Sequence, residues 1–297
     1  MTRNAFQLVV TFVFATLLAG CSGLTGNQVV RIQSFGGATA NVGKIGEDEF
    51  VNIRNGIIEM NRARLALDKN LRASEVDTDK AVSLESTTAR VAAAKALKLY
   101  GELLVKLATD DRSTGLQSAA NDLVNNTSTA LGKDLSDDQK NALNKLIAGI
   151  GNYWVERKKA EAAQAIIPAY QKPVNELADL LINDFARGEG ADGYISAYRG
   201  AARRLTNAAS RVLKPDNNAS VLERERAVQA LVMAEQAITR ADALSSSATS
   251  AFQALKKAND ELVKAIQNKK YSTDDIKNYA KQIQDLVNVY QVLGHSR

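Results

Sequence analysis

Cysteine is almost absent from this 297-residue chain: Cys21 is the only one. A lone thiol forms no internal disulfide and cannot supply the Cys and His clusters of a zinc site. Histidine is as scarce, for His295 is the sole imidazole and lies beyond the last helix that the sequence predicts. Ser-His-Asp and Cys-His catalysis need a positioned imidazole, and di-iron bundles need Glu-x-x-His twice; neither pattern exists. No G-x-x-x-x-G-K-[ST] phosphate loop occurs, and the scattered glycines make no dinucleotide fingerprint. Ordinary metal, nucleotide and triad enzymes are therefore excluded, and no cofactor is expected. Only 3 prolines occur and aromatics make up 5%, while alanine is abundant. Strands favour β-branched and aromatic residues, so this balance points to helix. A chain that is 45% hydrophobic and 24% charged has material for a core, which argues against disorder. The formal charge of +5 permits attraction to anionic surfaces, although a solvated basic surface is the plainer reading.

What is present is clearest at the N-terminus. Met1–Asn4 is a short polar start with one positive charge, Arg3, followed by a mostly apolar stretch from Phe6 to Leu18. That stretch is too short for a comfortable transmembrane helix, which needs about 20 apolar residues, and fits a signal-peptide core. It closes on Leu18-Ala19-Gly20-Cys21. These residues resemble the lipobox of bacterial lipoproteins: aliphatic, small, small, cysteine. The resemblance implies cleavage before Cys21 and lipid on its thiol, with three acyl chains on the mature terminus. One chain binds membranes marginally and two bind stably, so three make a durable anchor. Ser22 follows the cysteine, which in a two-membrane envelope implies sorting to the outer membrane. A single-membrane organism would hold the protein at the plasma membrane instead.

Residues 1–20 are thus expected to be a signal peptide, 21–46 a lipidated cysteine with a flexible tether, and 47–297 the folded domain. The tether rests on the Gly, Ser, Thr and Asn content of 22–46, with glycines at 23, 26, 36, 37, 43 and 46. Within it, Val29–Ile32 reads equally as a short strand or a sticky piece of tether. Phe50, Ile53, Ile57, Met60 and Leu67 then recur at helical spacing and predict a first helix to about Leu71. A second spans about Lys80 to Ala108, with Leu84, Thr88, Val91, Ala92, Leu99, Leu103 and Leu107 on one face. A weaker helix covers 116–131. Ser136-Asp137-Asp138-Gln139 is a capping box whose helix runs to about Ile167, and Pro168 predicts a kink or restart before a helix to Ala186. The next helix spans about Tyr194 to Lys214.

Ser220-Val221-Leu222-Glu223 is a second capping box, and no proline or glycine follows until after Lys270. That helix would reach about 75 Å at 1.5 Å per residue. Its seam is heptad-like: Leu231, Ile238, Ser245, Phe252, Asn259 and Ile266 at one position, and Ala234, Ala241, Ala248, Leu255 and Leu262 at the other. Around Ser245–Ser250 the small residues read as tight packing, a bend or a polar recess, with tight packing favoured. A last helix starts at Ser272 or Thr273, buries Ile276, Tyr279, Ile283, Leu286 and Tyr290, and stops at Gly294. The expected fold is an all-α, elongated, mostly antiparallel bundle.

For chemistry, a two-carboxylate glycan enzyme survives the exclusions, but Glu156, Glu161, Asp184 and Glu189 near Trp154 and Tyr194 are merely available. Arg199, Arg203, Arg204, Arg211 and Lys214 make one helix locally basic, and Arg199, Arg203 and Arg211 are the candidates for anion or partner contact. A solvated face paired with neighbouring acids is the plainer reading. Nucleic-acid binding is disfavoured because no exposed aromatics interleave with the basic residues. The expectation is a non-enzymatic binding or scaffolding lipoprotein, partnered by the membrane through its anchor and by another envelope protein, on the periplasmic face. The alternatives are the carboxylate enzyme and a surface-exposed lipoprotein contacting a host, phage or toxin. Cys21→Ala is expected to abolish incorporation of an alkyne palmitate analogue and leave an uncleaved precursor; equal labelling of variant and parent would refute the lipobox reading.

Overall fold

The computed structural model describes residues 23–72, 78–109, 115–150, 156–185, 193–269 and 271–294. Cys21, Trp154, Glu189 and His295 lie outside them. Among the described residues there are eight α-helices and no strand: α1 (Gly26–Leu67), α2 (Leu84–Thr109), α3 (Leu116–Leu131), α4 (Asp137–Ile150), α5 (Glu156–Phe185), α6 (Tyr194–Val212), α7 (Val221–Ile266) and α8 (Thr273–Gly294). The all-α bundle is as the composition predicts. No helix among these residues is long and apolar enough to cross a membrane.

The expected tether is the main correction. Helix α1 begins at Gly26, so most of 21–46 is packed helix, and Val29–Ile32 belongs to it. Thr25 and Gln28 form a capping box: the Gln28 amide donates to Thr25 Oγ1 at 3.2 Å, and the Thr25 amide donates to Gln28 Oε1 at 2.9 Å. Gly36 and Gly43 serve contact, not flexibility. A Cβ on Gly36 would sit 2.8 Å from the Gly101 carbonyl oxygen, and one on Gly43 would sit 2.6 Å from that of Ala94. Each helix glycine costs about 1 kcal/mol against alanine. Here that cost is offset because α1 and α2 approach backbone to backbone, burying Ile32, Phe35, Val42 and Ile45 between helices.

Other boundaries shift for local reasons. Lys80–Val82 form a 3₁₀ turn, and α2 proper starts at Leu84. Leu84 is 68% exposed and Thr88 is exposed, so the predicted stripe on α2 fails at its start. Its later members Ala92, Leu99, Leu103 and Leu107 are buried, and Ala93, Leu97, Tyr100 and Leu104 widen the buried face. Helix α5 continues through Pro168 and Pro173 without a restart. Ile166, Ile167, Tyr170 and Val174 are all buried around those prolines, and that packing outweighs the missing backbone bonds.

Helix α7 matches its predicted seam closely. Ser220 and Glu223 make the expected capping box, and Lys69 pairs with Glu223 at 2.7 Å. Ala234, Ala241, Ala248, Leu255 and Leu262 are buried, as are Phe252, Asn259 and Ile266. Ser245 donates to the Phe185 carbonyl at 2.6 Å, closing the end of α5, and Ala248 lies beside Phe185, Phe252 and Leu286. The serine-rich stretch is therefore a close crossing rather than a recess. In α8, Ile276, Tyr279, Ile283 and Leu286 are buried and Tyr290 is partly so.

The glycines of α1 give a paired test. Gly43→Ala is expected to destabilise by about 1–3 kcal/mol through overpacking against α2. Gly37, which has nothing within 4 Å of its would-be Cβ, should gain up to about 1 kcal/mol on becoming alanine. Thermal and denaturant melts of the two variants read the difference; equal, negligible effects would restore the tether.

Candidate binding groove

Two long helices, α1 and α7, run antiparallel along the molecule. Gln28 Nε2 donates to the Ala265 carbonyl at 3.0 Å near one end, and Lys69 meets Glu223 at the other. Between these points, the Arg240 guanidinium holds Glu49 with two bonds, Nε to Oε1 at 2.9 Å and Nη2 to Oε2 at 2.6 Å. Glu49 is fully buried and the Arg240 side chain is 13% exposed. Burial works against the arginine charge, but the hydrogen bonds and charge of Glu49, with help from Tyr198 and Tyr290, hold it above its usual value.

The pair is flanked unequally. Helix α5 packs on the half of α7 beyond Ser245, through Ser245–Phe185 and Asn259–Asn175, and α6 takes over on the remaining half through Arg199–Asp242. Helix α8 covers another flank, with Thr39 and Tyr279 hydroxyls 3.1 Å apart, and its late residue Tyr290 lies near Arg240. There α8 ends. It makes no extended contact with α5 or α6, so it occupies a separate face of the pair.

Beyond Arg240 the α1–α7 groove continues uncovered as a cavity of about 780 Å³. Helix α1 supplies Asn52, Asn55 and Glu59; α7 supplies Val232, Met233, Glu235 and Gln236; Tyr198 of α6 lies between them. Gly56 lets that ring come close, since a Cβ there would meet Tyr198 Cε2 at 2.8 Å. Its size lies within the usual range for ligand sites, and its lining mixes amides, carboxylates and apolar side chains. Neither Glu59 nor Glu235 has an ion-pair partner among the described residues.

The candidates read from the sequence lie elsewhere. Arg199 pairs with Asp242 at 2.7 Å, Arg211 with Asp68 at 3.1 Å, and Arg203 is exposed. Two of the three are thus engaged by carboxylates of neighbouring segments, and the fold does not gather the three into one site. Arg211 lines a smaller cavity of about 190 Å³ with Lys69, Glu223 and Arg226. Asp184 is buried and takes a 2.8 Å bond from Arg90 Nε. Burial pushes its carboxyl up, and Arg90 with the Tyr194 amide opposes this only in part. It braces α2 against α5. No group of three or more His, Cys, Asp or Glu among the described residues is placed to hold a metal ion.

The groove's signal in the sequence was a second apolar stripe on α7. Ala227, Ala230, Ala234, Ala237 and Ala241 form its buried face. Val221, Val228 and Val232 lie on the far side, Leu222 and Met233 lie at its margin, and all five are exposed. The α1 wall gave no signal, because Asn52, Asn55 and Glu59 are ordinary surface residues by type.

At the groove's closed end, Arg240→Ala is expected to destabilise by about 3–5 kcal/mol, because it strands the Glu49 carboxylate in the core. Replacing both partners with methionine should recover most of that loss in denaturant melts. A mild Arg240→Ala would mean that the pair is reached by water. No family model, curated protein or solved structure matches this chain.

Proposed function

We propose that this chain is a lipid-anchored lipoprotein of the bacterial envelope, held by Cys21, whose bundle is a non-enzymatic binding or scaffolding module. The observation that carries the binding role is the uncovered half of the α1–α7 groove. Along much of its length the pair is flanked by helices, yet here an apolar stripe and two carboxylates with no ion-pair partner among the described residues face solvent. The anchor reading rests on the lipobox-like sequence and agrees with the placement of α1. Gly26 follows Cys21 by five residues, so the bundle would stand directly on its attachment. Gln28 sits against Ala265, and Arg240 is 25 residues away along α7, about 38 Å at 1.5 Å per residue. The groove would thus face away from the membrane that holds the protein. With Ser22 after the cysteine, that membrane is the outer one in a two-membrane envelope, and the domain projects into the periplasm.

Val232→Asp with Met233→Asp tests the binding role, since both side chains are solvent-exposed and their loss spares the core. In formaldehyde-treated cells the parent should run partly as a discrete larger adduct, and the variant should lose it while keeping its melting temperature and lipid label. An adduct of undiminished intensity would show that the groove is not the binding surface.

A further inference from the structure

We infer that the occupant of the groove is an amphipathic helix of a partner protein, cationic along its edges, lying end to end with α8. This rests on the groove being the binding surface and is independent of the lipid anchor.

The first argument is continuity with the seat of α8. An α-helix repeats its azimuth after about 18 residues, or five turns. Ala251, Ala254 and Ala258 stand that far along α7 from Met233, Gln236 and Arg240, and all three alanines are buried. Met233 and Gln236 are exposed. One face of α7 is therefore buried along the part that α8 accompanies and bare once α8 stops near Arg240. The same two walls, α1 and α7, run on through both parts, so the bare part has the form of a helix seat.

The second argument is the two-faced character of α7. A helix that is apolar on opposite sides belongs between partners. From Val221 to Arg240 one side is the buried alanine row, packed on α6 and α1. The other carries Val221, Val228 and Val232, with exposures of 84, 51 and 48%, and Leu222 and Met233, 55 and 37% exposed, lie at its margin. The stripe extends beyond the cavity itself, from Val221 to Met233, which suits an extended helix better than a small ligand.

The third argument is charge. Arg240, the cation of the groove lining, is spent on Glu49. Glu59 on one wall and Glu235 on the other stay unpaired and bracket the seat. Lysine or arginine on both edges of an apolar helix face would answer them.

The test places p-benzoylphenylalanine at Met233 of the full chain in living cells, with Ser246, exposed elsewhere on α7, as the control position. After irradiation the joined peptide is sequenced by mass spectrometry. The expected adduct forms at 233 and not at 246. Its peptide should carry apolar residues at three- and four-residue spacing, flanked by Lys or Arg. Glu59→Lys with Glu235→Lys should lower its yield about tenfold or more while leaving the melting temperature unchanged. A peptide from this chain would identify a second copy and overturn the proposal. A glycan or lipid adduct would keep the groove as a binding site and overturn its helical occupant. No adduct, or a yield indifferent to charge reversal, would also overturn it. Palmitate labelling of Cys21, read on the same samples, reports on the anchor separately.

Discussion

The contact on which the rest of the bundle leans is the antiparallel pairing of α1 and α7, pinned near its middle by Glu49 and Arg240. A buried ion pair adds little net stability, because desolvation consumes most of the Coulombic gain. Its consequence here is register. Sliding α7 by one turn would leave a carboxylate with no exposure facing alanine, so only one alignment satisfies both charges. Gln28 at one end and the Lys69–Glu223 contact at the other agree with that alignment. The other helices either pack on this pair or reach it through α2 and α5.

Side-chain size then sorts what packs where. The alanines of the first half of α7 bring α6 and α1 close, while Phe252, Leu255, Leu262 and Ile266 fill a wider space beside α5 and α8. Polar residues inside this region are anchored individually. Asn259 Nδ2 donates to the Gln171 carbonyl at 3.0 Å and to Asn175 Oδ1 at 2.9 Å, which satisfies its amide nitrogen and ties α7 to α5. Phe35, Tyr100, Tyr170 and Tyr279 then form an aromatic chain across α1, α2, α5 and α8, with Tyr100 and Tyr170 stacked at 5.7 Å.

Capping boxes and apolar periodicity are local signals, and they made α7, α8 and the second half of α1 legible in the sequence. The segment 26–46 was misread because glycine has two opposite uses. It loosens a free chain, or it lets a second backbone come within contact distance. What decides between them is α2, whose Gly101 faces Gly36 and whose Ala94 and Lys98 face Gly43, and that pairing is invisible to any window along the chain. The groove is a similar case. Its α7 wall was visible as a second stripe behind the alanine row, but amphipathic reading looks for one apolar face and stops. The α1 wall becomes a wall only once α8 is seen to end at Arg240.

Replacing a tether by a continuous helix changes what the proposed anchor would do. A flexible linker of some twenty-five residues would let the domain sample many orientations, with an end-to-end distance of roughly 25–30 Å. With only residues 22–25 between Cys21 and α1, the proposed attachment would be short. Helix α1 is 42 residues long, about 63 Å, and the groove opens along its distal part, where Asn52, Asn55 and Glu59 lie. If Cys21 carries the proposed anchor, such a mount would hold the groove well above the bilayer. A partner at that height meets a preoriented seat and loses less orientational freedom on docking than one meeting a swinging domain. Gly36 and Gly43 of α1, by allowing α2 to brace it, are what make the mount stiff.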